Sequence, residues 1–223
     1  LGEADRIVVF VTRGHGKVRA VAKGVRKTRS KFGSRLEPGS HVSLQFYEGR
    51  ELDIVTQAES VDHFRAIRED LELLAGAQIM LEATDQVSQE DEPDARLYQL
   101  LLGALRTLAG TGGVLVVPAF LLKLLAADGV QPNVEDCSSC GEDADLVAFD
   151  LESGGLLCRS CRRGQPVSAD AVALLQDVLG GRLNAALAEP ESDATRELTH
   201  LATTAVEHHL ERRLKSVHSL DHV

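Results

Sequence analysis

The chain has 223 residues, 43% of them apolar and 26% charged, so it can bury a core and has an ordinary globular composition. Its longest apolar stretch, VLVVPAFLLKLLAA (114–127), is interrupted by Pro118 and Lys123 and falls short of the roughly 20 residues a membrane span needs. The net charge of −10 hides a segregated distribution: ten basic and no acidic residues lie between Arg6 and Leu36, against 14 basic and 32 acidic in residues 36–223.

Aromatics are few and Trp is absent, so the core must be mainly Leu, Val and Ala, which tilts the chain towards helix. No basic start followed by an apolar segment and a small-residue cleavage site opens the sequence. Four cysteines arranged as two pairs suit a reducing compartment and a metal better than a disulfide scaffold. A cytoplasmic protein is expected.

RIVVFVT (6–12) and VRAVAK (18–23) are rich in Val and Ile, and two glycines in RGHGK supply a turn between them. The basic segment KGVRKTRSKFGSRLEPG (23–39) follows and ends in turn chemistry at Glu37-Pro38-Gly39. HVSLQFYE (41–48) and ELDIVTQAE (51–59) alternate apolar and polar residues around Gly49-Arg50, the signal of a hairpin. Four short strands suggest a small barrel. A five-stranded oligonucleotide-binding (OB) barrel needs one more strand, expected upstream of Leu1.

After Ser60 the pattern becomes helical, with Val61, Phe64, Ile67, Leu71 and Leu74 at three- and four-residue spacing. Residues 77–88 continue or repeat it, EDEPD (90–94) is an acidic break, and Ala95–Leu108 is a second amphipathic helix. A loop at Gly110–Gly113 precedes a buried helix over 114–127. Ser168 can cap a helix at 169–179, and Ser192 another running to about residue 215. No internal repeat or low-complexity tract is present.

CSSC (137–140) and CRSC (158–161), 17 residues apart, are the strongest local signal. Each C-x-x-C bends two thiolates onto one ion, and two such knuckles complete a tetrahedral site from Cys137, Cys140, Cys158 and Cys161. Four thiolates leave no open position, so a zinc ion here is structural. LVAFD and GGLL between the pairs suit a short hairpin. The nearby Arg159, Arg162 and Arg163 either offset the negative charge of the centre or contact phosphate.

Lys and Arg at the density of residues 6–35 cannot bury, so the basic loop must be solvated or meet an anion. Nucleic-acid backbone fits, because each neutralised phosphate releases counterions. Phe32 either offers a base-stacking surface or anchors the loop. An acidic protein partner is the competing ligand. AGTGG (109–113) lacks the Lys-Ser/Thr of a phosphate-binding loop, and His208-His209 would need outside partners to hold a metal. The zinc-deaminase and G-x-S-x-G patterns are absent, and no cysteine is left as a nucleophile. Nothing points to an enzyme, and the closed thiolate sphere opposes a zinc-dependent hydrolase.

With these pieces in order, the chain resembles the RecO family of bacterial recombination mediators. The resemblance rests on GEADRIVVFVTRGHGKVRAVAKGVRKTRSKFGSRLEPG (2–39), then CSSCG, CRSC and a final RRLKSVHSL, and so spans nearly the whole chain. It implies an α+β fold: an N-terminal OB-fold β-barrel over 1–60, then a mostly α-helical domain over 61–223 with a zinc-binding loop at 135–165. It implies binding of single- and double-stranded DNA, annealing of complementary strands, and work with RecR to load RecA onto DNA coated by single-stranded DNA-binding protein (SSB). It also implies recognition of the SSB C-terminal tail by the helical domain. The surface expected to carry DNA is Arg13, Lys17, Arg19, Lys23, Arg26, Lys27, Arg29, Lys31, Phe32 and Arg35. Family members begin with a strand before the Gly-Glu of the signature, whereas this chain begins at Leu1. The alternative is a zinc-ribbon interaction module whose basic loop docks an acidic partner.

Overall fold

The computed structural model describes residues 2–218, so Ser219 and Leu220 of the RRLKSVHSL stretch lie outside the described residues. Strands β1 (Arg6–Thr12), β2 (Gly16–Ala22), β3 (His41–Tyr47) and β4 (Asp53–Asp62) form one sheet in the order β1-β2-β4-β3. β1 and β2 pair as an antiparallel hairpin, as do β3 and β4, while Ala20 and Val21 of β2 run parallel to Asp53 and Ile54 of β4. The order is consistent with an OB fold, but β1 and β3 remain edges, so the described residues close no barrel.

Alternation puts Ala20, Ala22, Val55 and Ala58 into the core of this sheet, with Phe10 and Phe46 packed edge to face at 5.7 Å. The segment after β2 folds back over it. Val25, Phe32 and Leu36 enter the same core, the last from a 3-10 turn at Gly33–Leu36.

The helical region starts differently from the periodicity. β4 extends to Asp62, and Phe64 takes a left-handed conformation (φ 42°) at the start of the short α1 (Arg65–Glu69). Asp70 then leaves the helix and caps α2 (Leu71–Val87), accepting the N–H groups of Glu72 and Leu73. Val61 and Leu71, spaced as core positions, are therefore 58% and 82% exposed, whereas Phe64 and Ile67 are buried. α2 packs against α1 and β1, and α3 (Ala95–Thr111) follows the acidic break.

The change from strand to helix falls at Asp62, but the first compact unit runs on to Ala109 and includes α1, α2 and nearly all of α3. The second unit covers residues 110–223. In it, α4 (Val116–Ala127) is buried on almost every side, and Pro118 sits in its first turn, where a missing N–H breaks no helical bond. α5 (Ala169–Leu179) and α7 (Asp193–His209) pack on one another, and α7 also packs on α4. Ser168 caps α5, and Ser192 caps α7 through a reciprocal box with Thr195. α7 stops at His209, before a left-handed Glu211 (φ 50°), so the helix expected to reach residue 215 is instead divided, with a short α8 at Lys215–His218. A short α6 (Leu183–Leu187) was not signalled by the pattern.

A second sheet, in the order β6-β5-β7, ends one strand at Cys158, with the other three cysteines in loops and turns outside its strands: β5 (Leu146–Asp150), β6 (Gly155–Cys158) and β7 (Gln165–Pro166). No helix among the described residues is long and apolar enough to cross a membrane.

Candidate metal centre and nucleic-acid interface

The four cysteines come together as their spacing requires. Their Sγ atoms all lie within 4.8 Å of one another, and those of Cys140 and Cys158 are 3.7 Å apart. Four sulfurs about 2.3 Å from a shared ion stand about 3.8 Å apart at the corners of a tetrahedron, so the donor set fits one metal ion.

Backbone geometry builds the first knuckle: Gly141 (φ 77°) donates its N–H to the Cys137 carbonyl, and Cys137 donates to that of Glu142. The second begins at the end of β6, where Cys161 N–H bonds the Cys158 carbonyl at 3.1 Å. Amide donors also reach sulfur. The N–H of Cys158, helped by those of Ser139 and Cys140, holds the Cys137 thiol down to about 6. The Glu142 N–H pulls Cys140 down too, but three neighbouring cysteine sulfurs outweigh it and leave that thiol at about 12. Cys137, Cys158, Ala148 and Leu157 form the small core beneath the cluster.

Two of the neighbouring arginines face carboxylates. Arg163 donates to Asp150 at 3.1 Å, and Arg159 lies 3.7 Å from Asp145. The Ser153 hydroxyl, its backbone N–H and Arg163 hold the buried Asp150 carboxyl below the usual carboxylate range. Arg162 is exposed.

In the other unit, the cations fall into two groups. Arg13 lies in the β1–β2 turn, and Lys23, Arg26, Lys27, Arg29, Lys31 and Arg35 lie on the segment after β2; all seven are exposed. Lys31 donates to the Thr56 carbonyl at 3.0 Å and lies over the Phe32 ring, while Arg35 donates to the Lys31 carbonyl. With Thr56, Gln57, Glu59 and Ser60 of β4 they flank an open groove of about 460 Å³. Lys17 and Arg19, on β2, are instead engaged by acids: Lys17 Nζ lies 3.4 Å from Asp85, and Arg19 lies 3.6 Å from Glu90.

The loop is held in shape. The Asp5 carboxylate accepts the N–H groups of Gly2 and Gly24, which depress its pKa, and Arg26 N–H bonds the Ala4 carbonyl. Phe32 is 1% exposed and sits in the sheet core, so it cannot stack on a base as the loop stands. The reason is its setting: Val25 and Leu36 converge with it on the same apolar face of the sheet. Phe32→Ala is therefore expected to cost about 3–5 kcal/mol of stability, read by denaturant unfolding. A stacking side chain would instead leave stability within about 0.5 kcal/mol.

Sequence reasoning did not find Asp5, Asp85 or Glu90 as partners of the basic region. Two acids adjoin the basic run and could have drawn attention: Asp5 at its start, and Glu37 at its end, which lies 3.7 Å from Arg6.

Comparison with known proteins agrees with this architecture. The model for the N-terminal part of recombination protein O matches residues 1–64, and that for its C-terminal part matches residues 68–218. A protein of Frankia casuarinae named DNA repair protein RecO is 44% identical over 227 residues, covering 99% of this chain and 93% of that protein. Proteins of the same name from Streptomyces griseus and Streptomyces coelicolor are 42% and 43% identical, covering 97% of this chain and 92% of each. With both halves of the family matched in their chain order and relatives this similar over nearly the full length, the chain belongs to the RecO family.

Proposed function

We propose that this RecO-family chain serves DNA repair and recombination as a non-enzymatic, DNA-binding mediator. It anneals complementary single strands and, with RecR, helps load RecA onto SSB-coated DNA. The observation that carries this reading is the exposed basic segment fastened to the sheet by Phe32, Val25 and Leu36. Annealing makes and breaks no covalent bond: two polyanions must approach, and a shaped cationic surface lowers their repulsion.

Arg13, Lys23, Arg26, Lys27, Arg29, Lys31 and Arg35 are assigned to phosphate contact. The sheet region 1–60 is the DNA-binding part, and the helical region 61–223 is assigned the zinc loop and the SSB C-terminal tail. The zinc ion, held by Cys137, Cys140, Cys158 and Cys161, supplies a fixed tie between the two knuckles. The protein is placed in the bacterial cytoplasm, on the nucleoid.

The test is annealing of two complementary oligonucleotides coated with SSB. Acceleration by the full chain, suppressed as salt rises, is the expected result. No acceleration at low salt, with an acidic protein captured by the same loop, would replace this reading with that of an interaction module.

A further inference from the structure

The last turn of α2 and the connection to α3 read DQVSQEDEPD over residues 85–94, with five acids and no base, and the connection pairs with the start of β2. Lys17 N–H bonds the Gln89 carbonyl at 3.0 Å, and Glu90 bridges to Gly16 and Lys17 in the manner of a short extra strand. The approach is close enough that a Cβ on Gly16 would meet the backbone of Glu92, and Gly16 also has φ 66°. Two cations are taken up there. Lys17 Nζ donates to the Asp85 carbonyl at 2.7 Å beside its carboxylate, leaving that side chain 18% exposed. Arg19 meets Glu90.

We infer that this acidic strap is an intramolecular competitor for phosphate, which sets how many cations the protein offers to DNA by holding Lys17 and Arg19 back. The inference rests on the DNA-binding reading above. Ion pairs as exposed as Arg19–Glu90 are individually weak, so the strap modulates affinity rather than abolishing binding. Asp94 is otherwise employed, since its carboxylate accepts the N–H groups of Arg96 and Leu97 at the start of α3. Asp91 and Glu92 are exposed, on the same segment, and form no ion pair with Lys17 or Arg19.

That arrangement provides its own control. Asp85→Asn/Glu90→Gln and Asp91→Asn/Glu92→Gln remove equal charge from one segment, but only the first removes the carboxylates that face Lys17 and Arg19, leaving Lys17 with the neutral Asp85 carbonyl to exchange for phosphate. Binding of a single-stranded oligonucleotide by the full chain would be titrated across a salt series. The first variant is expected to bind roughly three- to tenfold more tightly at 50 mM salt, with the log–log salt slope steeper by about 1.4, the value for two further phosphates on a single strand. The control variant should keep the wild-type slope. Adding Lys17→Ala/Arg19→Ala to the first variant should restore the wild-type slope.

Equal gains in both acid variants, or an unchanged slope in the first, overturn the inference while wild-type binding leaves the DNA reading standing. If neither wild type nor variant binds, both fall together.

Discussion

Cys158→Ser is expected to strip the metal from the chain and abolish the cooperative unfolding of the β5–β7 sheet. The sheet is small, with β7 contributing only Gln165 and Pro166, and its local core includes two of the cysteines themselves. A structural zinc site contributes about 10–16 kcal/mol of apparent binding free energy, against about 5–15 kcal/mol of net stability for a whole domain. Even discounted for ion binding by the unfolded cysteines, that loss exceeds what the remaining contacts supply. Serine keeps the side chain's size, so lost packing is not the cause. Elemental analysis should give one metal per chain in the wild type and none in the variant, and a strong chelator should reproduce the variant's melting curve. An unchanged melting transition in metal-free protein would show that the knuckles hold without an ion.

The cysteine site was legible because every decision in it is short-range. Two C-x-x-C spacings set two turns, and LVAFD and GLLC form the hairpin that brings them together. The strands were legible for a related reason, since alternation in HVSLQFY exposes Ser43, Gln45 and Tyr47 and half-buries Val42, Leu44 and Phe46. Their parallel join was not, because nothing local in Ala20–Val21 names Asp53–Ile54 as its partner. The failure after Ser60 is instructive. Val61, Phe64, Ile67, Leu71 and Leu74 do repeat at helical spacing, but spacing is silent about Asp70, whose side chain captures two N–H groups and restarts the helix. The register of the apolar face is lost there, and Leu71 emerges into solvent.

The basic surface was legible as charge and illegible as chemistry. Composition identifies the cations between Arg6 and Arg35, but which remain available depends on acids far along the chain, such as Asp85, 68 residues from Lys17. Phe32 shows the same limit. Lys31 and Gly33 beside it suit an exposed ring, and only the convergence of Val25 and Leu36 on the sheet makes it an anchor.

That anchored surface makes a quantitative demand on DNA binding. If all seven exposed cations contact phosphate on a single strand, the log–log salt slope is about −5, and affinity falls roughly 10³-fold between 50 and 200 mM salt. Lys27→Ala/Arg29→Ala/Lys31→Ala leaves four, so the slope should relax to about −3 and the fall to roughly 50-fold. The three side chains are exposed, so the variant should fold and melt close to the wild type apart from the contacts Lys31 makes with Thr56 and Phe32. Slope, rather than affinity at one salt concentration, is the decisive reading, because a misfolded fraction lowers apparent affinity without changing the number of ions released. A triple variant with the wild-type slope would mean that the loop does not track the phosphate backbone. Its shape would then have to be explained by an acidic protein surface, for which the same substitutions should abolish binding.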